Sequence, residues 1–105
     1  MKNKYPDVSV IITNYNYADY LSRCVRSCLT QKHVNAEVII VDDCSTDNSL
    51  EIAETYKEDI KIIKNETNVG VAESSNVGIK AAKGQFVIRV DADDYVSSDM
   101  CYIMK

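Results

Sequence analysis

Tryptophan is absent from the 105 residues, and proline (one), phenylalanine (one) and glycine (three) are scarce. So little Pro and Gly excludes collagen-like and low-complexity chains. No apolar run approaches the roughly 20 residues needed to span a bilayer, so the chain is expected to be soluble. Met1 to Asp7 carries bases, but the apolar stretch that follows stops at Thr13-Asn14 without a small-residue cleavage pattern, and it does not read as a signal peptide. An excess of base is missing too: 12 Lys+Arg face 16 Asp+Glu, a formal charge of −4, which argues against a nucleic-acid or other polyanion binder. The four cysteines, Cys24, Cys28, Cys44 and Cys101, show no CxxC spacing, so a structural zinc is not expected. They read as small apolar core or boundary residues kept reduced in a cytoplasm.

What is present points to one globular domain over 1–105. Hydrophobic residues make up 46% and charged residues 27%, near the globular averages. A chain this long buries roughly two thirds of its unfolded surface, enough for one core and not two. Val8 to Ile12 is a β-branched run that predicts a buried strand. Tyr17, Tyr20, Leu21, Cys24, Val25, Cys28 and Leu29 then recur at helical spacing to about Gln31, and His33 near the end reads as a surface or capping residue. Val38 to Val41 predicts a second buried strand, stopped by the turn and cap residues Asp42 to Ser49, with a helix starting near Asp47. Ile60 to Ile63 predicts a third, edge strand. Val71, Ala72, Ser75, Val77, Ile79 and Ala82 give a weaker helical pattern closed by Gly84 as C-cap, and Gly78 inside it suggests a close approach of backbone or ligand. Phe86 to Val90 is the fourth strand. Strands alternating with helices predict an α/β, Rossmann-like, mainly parallel sheet.

In such sheets ligands bind beyond the carboxyl ends of the strands. The residues found there are Thr13, Asn14, Tyr15 and Asn16; Asp42 and Asp43; Asn65 and Asn68; and Asp91, Asp93 and Asp94. Five carboxylates on one edge repel one another unless a cation or a hydrogen-bonding ligand relieves them, and hard oxygen ligands suit Mg²⁺ or Mn²⁺. Arg89, inside an apolar strand, reads as an ion-pair partner or an exposed edge residue that offsets part of this acidity.

Val8 to Asn16, Val41 to Asp47, Asn68-Val69-Gly70, Asn76-Val77-Gly78, Ala82-Lys83-Gly84 and Asp91 to Asp94 together resemble the N-terminal half of a family 2 glycosyltransferase of GT-A fold, from about Asp7 to Asp99. The resemblance implies that Thr13, Asn14 and Tyr15 border the nucleotide base, with Tyr15 lining its pocket. It implies that Asp43 hydrogen-bonds a uracil-type base, that Asp42 supports that loop, and that Asn76 belongs to the nucleotide-binding set. Asp91-Ala92-Asp93 is similar to the DXD element, in which Asp93 helps hold a Mn²⁺ or Mg²⁺ bridging the diphosphate and Asp91 faces the ribose or assists the metal. The implied reaction is inverting transfer of a sugar from a nucleotide diphosphate donor, UDP-sugars favoured, to a hydroxyl of a saccharide or lipid acceptor.

Thr13 and Asn14 stand where many members have Pro-Thr, Cys44 where Gly or Asn is commoner, and Ser75 where many carry Arg or Lys; Lys80 and Lys83 are the nearby substitutes. The chain reads as a truncated domain whose general base is expected beyond Lys105, inactive alone and prone to self-association through exposed apolar surface. The location implied is cytoplasmic, with the longer enzyme at the inner face of a membrane as a variant of that. Two other folds fit less well. A dehalogenase-type phosphatase opens its fold with Asp-x-Asp, and a receiver domain places its paired acids after the first strand. A non-catalytic nucleotide- or metal-binding module is the alternative reading.

Overall fold

Two of the β-branched runs lack the polar alternation of a half-wet sheet, so both of their faces need cover. In the computed structural model, which describes residues 6–31 and 35–93, they form the central strands β1 (Val8–Asn14) and β2 (Ala36–Asp42). Strands β3 (Lys61–Lys64) and β4 (Phe86–Asp91) flank them in the order β3-β2-β1-β4, every pair parallel. This is the α/β, Rossmann-like sheet that the alternation of elements predicts, with β3 on an edge as expected. His33, Asp94, Cys101 and the helix expected to open at Ser97 lie outside the described residues.

Side chains alternate across a strand, so each central strand feeds two cores. Val8, Val10, Ile12, Val38 and Ile40 pack with Leu21, Cys24, Val25 and Cys28 of α1 (Ala18–Leu29) and Ala53 of α2 (Ser49–Glu54). On the opposite face Ile11, Ile39 and Val41 meet Val77 and Ala81 of α3 (Val71–Ala81). Gly78 is what lets α3 come this close: a Cβ there would stand 2.3 Å from Ile11 Cγ2. Close packing therefore outweighs the roughly 1 kcal/mol by which Gly is worse than Ala within a helix.

Four sequence expectations need correction. Tyr17 and Tyr20 do not join the apolar stripe of α1; they are exposed, and the stripe begins at Leu21. Val71 and Ile79 are exposed as well, because Ser74, Ser75 and Gly78 form the buried side of α3, small residues where larger ones would hold the helix off the sheet. Gly84 is no C-cap. The helix stops at Ala81, Ala82 is already extended, and Gly84 instead donates its N–H to Ser9 Oγ at 2.8 Å. Finally, α2 begins at Ser49 rather than Asp47, because the Asp47 carboxylate accepts from the Ser49 N–H at 2.9 Å and so precedes the helix as a turn.

Candidate functional site

The strands also run further than their apolar residues. Asn14 pairs in register with Asp42, and Thr13 with Asp91, so the polar residues that end each strand are held by the ladder itself. The chain moves outward from β1 through β2 to β3, then returns to the other side of β1 to form β4. That reversal opens a crevice at the carboxyl ends of β1 and β4. A cleft of about 340 Å³ lies there. Thr13, Asn14 and Tyr15 line it from the end of β1, Tyr17 from the start of α1, Asp43 from the end of β2, Val71 and Ser74 from α3, and Asp91 and Asp93 from the end of β4.

Asp42 and Asp43 are neighbours in sequence but not in environment, since successive residues face opposite sides of the sheet. Asp42, buried, accepts from Asn14 Nδ2 at 2.8 Å, Ser45 Oγ at 2.7 Å and the Ser45 N–H at 3.0 Å. It does not line the cleft; its contacts are those of a residue that fixes the β2–α2 loop. Asp43 accepts from the Val69 N–H at 2.8 Å, Asn65 Nδ2 at 3.1 Å and the Gly70 N–H at 2.9 Å. Gly70 presents that N–H from a φ of 92°, a left-handed conformation that favours glycine. Burial pushes the Asp43 carboxyl up, but the donors Val69, Asn65, Gly70 and Ser74 together outweigh it and hold the group below the ordinary carboxylate value. Asp43 therefore reaches the cleft as a carboxylate held in place by these donors.

The two loops beside Tyr15 are latched together. Asn16 Oδ1 accepts from the Thr46 N–H at 2.8 Å, the Asn16 N–H donates to Ser45 Oγ at 3.0 Å, and Asp47 Oδ2 accepts the Ala18 N–H at 3.0 Å. Asn16 and Cys44 make the turns with φ of 60° and 62°. Asn adopts this region readily; Cys does so only at a cost.

At the β4 end the geometry is looser. Asp91 Oδ1 accepts from Arg89 Nη1 at 2.5 Å and from Thr13 Oγ1 at 3.2 Å, and the ion pair is about half exposed. Arg89 is thus both an ion-pair partner and an edge residue. Asp93 is exposed and makes no hydrogen bond among the described residues. The carboxylate crowding inferred from sequence is therefore already relieved without a cation: Asp42 and Asp43 by N–H and O–H donors, Asp91 by Arg89. Asn76 and Lys80 on α3 and Lys83 beyond it are exposed and are not among the residues lining the cleft, and the Ser75 hydroxyl turns back to the Val71 carbonyl at 2.8 Å.

The family model for glycosyl transferase family 2 matches residues 9–104. The chain belongs to this family. It is 40% identical over 96 residues to glycosyltransferase GlyG of Streptococcus pneumoniae, covering 89% of this chain and 32% of GlyG. Among solved structures it is similar to S. aureus TarS in complex with UDP-GlcNAc, at a TM-score of 0.86 and 37% identity over 93% of this chain and 30% of that one. It is also similar to the mannosyltransferase PcManGT of Pyrobaculum calidifontis in complex with GDP-Man and Mn²⁺, at a TM-score of 0.79 and 25% identity over 89% and 29%. The chain spans about a third of the length of these relatives.

The family 2 cleft can be tested against a divalent cation on its own donors. Asp91 Oδ2 and the Asp93 carboxylate are hard oxygen ligands on one side of the cleft, and no group of three or more His, Cys, Asp or Glu able to hold a metal occurs among the described residues. Two carboxylates suit Mg²⁺ or Mn²⁺, which are commonly held by one or two carboxylates plus substrate phosphates. They do not make a cage that would keep a cation without substrate.

Tyr17, Val71 and Ser74 line the cleft although sequence reasoning passed over them. For Ser74 the signal was available: it lies one helical turn beyond Gly70, whose carbonyl accepts its N–H at 3.0 Å, so any ligand reaching the start of α3 meets it.

Proposed function

We propose that the chain is the donor-binding half of an inverting, metal-assisted glycosyltransferase that takes a nucleotide diphosphate sugar, a UDP-sugar in the first instance. One observation carries this reading: the cleft at the β1/β4 reversal has an ionised hydrogen-bond acceptor, Asp43, on one side and the carboxylates of Asp91 and Asp93 on the other. Thr13 and Tyr15 lie between, where the base and ribose of a nucleotide would rest, with Tyr15 offering an aromatic face. The complexes of TarS with UDP-GlcNAc and of PcManGT with GDP-Man and Mn²⁺ support a donor of this class.

In this reading Asp43 is the acceptor for the base N–H, and Asp91 and Asp93 face the sugar-diphosphate side. A Mn²⁺ or Mg²⁺ held there would neutralise charge developing on the leaving diphosphate. Asp42, Asp43 and Asp91 are committed to other partners, and none of them is assigned as the base that takes the acceptor proton. A cytoplasmic location fits Cys24 and Cys28 as small buried residues of the core. Exposed Phe86 and Val87 on edge strand β4 favour self-association with a second copy, and light scattering that stays strictly monomeric with concentration would contradict that part.

The test is calorimetric titration with UDP and with GDP, each with and without Mn²⁺. Binding of one nucleotide, strengthened by Mn²⁺, is the expected result. A folded sample that binds neither would contradict the reading and favour a module that does not recognise nucleotides.

A further inference from the structure

Arg89 has no role in the function proposed so far, yet it holds one of the residues that function needs. It sits on β4 two residues before Asp91, on the same face of the strand, opposite Ile11 in the register. Its Nη1 bonds Asp91 Oδ1, the same oxygen that accepts from Thr13 Oγ1. Two donors converging on one oxygen fix the plane of the carboxylate and leave Oδ2 as its ligand-facing atom. They also pair its charge, which weakens its pull on a cation while leaving it able to accept from a neutral O–H. Asp93, two residues on and also lining the cleft, is paired with nothing among the described residues.

We propose that Arg89 is a positioning residue: with Thr13 it fixes the Asp91 carboxylate, so that of the two roles the family resemblance leaves to Asp91 it takes the ribose hydroxyl, and the cation falls to Asp93. This inference rests on the nucleotide-sugar reading above.

The experiment compares UDP, 2′-deoxy-UDP and 3′-deoxy-UDP by calorimetry in Mn²⁺, on the wild-type chain and on Arg89→Met, Arg89→Gln and Arg89→Lys. A hydrogen bond to an ionised acceptor is commonly worth about tenfold in affinity, so the wild type is expected to prefer UDP over one deoxy analogue by about that factor. Arg89→Met and Arg89→Gln are expected to reduce that preference to roughly threefold or less, and Arg89→Lys, which keeps the charge, to restore part of it. Because the ion pair is half exposed, none of these variants should unfold the chain. Titration of Mn²⁺ in the presence of saturating UDP, followed by electron paramagnetic resonance, supplies a second readout: Arg89→Met is expected to bind Mn²⁺ more tightly, since Asp91 is then unpaired. UDP binding with an unchanged deoxy preference in both Arg89→Met and Arg89→Gln would overturn the inference and leave the donor reading standing. Absence of UDP binding by the wild type would overturn both.

Discussion

The carboxylates at the end of β2 and those at the end of β4 have the same chemistry and sit in opposite circumstances. Asp42 and Asp43 are 1% and 5% exposed and together accept six hydrogen bonds from Asn14, Ser45, Asn65, Val69 and Gly70. Asp91 and Asp93 stand at a half-open edge, where one is held by Arg89 and the other is unpaired among the described residues. The difference teaches that acidity at a strand end is not by itself a cation site. Asp42 is part of the scaffold and Asp43 is fixed where it meets the cleft, whereas the lone pairs that could hold a cation are those at the β4 end.

The comparison breaks most visibly under substitution at Asp42. Asp42→Ala strands the Asn14 amide and the Ser45 N–H and is expected to cost about 2–3 kcal/mol, read as a lower urea midpoint with unchanged slope. Acid should then separate the two regions. The Asp43 and Asp47 carboxyls are held below their ordinary value of 3.8; at Asp47 burial opposes the shift, and the Ser49 and Ala18 donors outweigh it. A depressed folded value means that this stability is present above pH 3.8 and is lost as pH falls through the folded values. Asp43→Asn should therefore make the acid limb of a stability profile shallower.

A smaller effect comes from the turn beside Asp43. Cys44→Gly relieves a left-handed backbone at the loss of a weak contact from Sγ to the Glu66 carbonyl at 3.5 Å, and is expected to stabilise the chain by roughly 0.5–1 kcal/mol in thermal or urea unfolding. Smallest of all, Asp93→Ala should change stability by less than about 0.5 kcal/mol, as exposed positions do, while abolishing the Mn²⁺ enhancement of UDP binding. A large loss of stability at Asp93 would erase the contrast between the two strand ends.

The sheet was legible because short β-branched runs bounded by turn residues favour strands, and each run ends where polar residues begin. The edge that holds the cleft followed from the direction of parallel strands. Less visible was the division of labour among the acids. The donors to Asp43 come from residues 65–70, more than twenty positions away, and no local pattern announces them. Tyr17 and Tyr20 fit the helical spacing of α1, but the buried stripe does not extend to them. On α3 the expected set held at Ser75, Val77 and Ala82 but not at Val71 and Ile79, since the most buried residues of the helix are serines and a glycine that allow close approach to Ile11 and Val41. Asn76 came from the family resemblance alone, and the fold places it outside the cleft.

The most direct test of the contrast is paramagnetic broadening of backbone amide signals by substoichiometric Mn²⁺ in the presence of UDP. Loss of signal first at residues 91–93, before residues 65–70, is the predicted result. Broadening that begins at residues 65–70, which hold Asp43, would contradict the assignment of the cation to the β4 end.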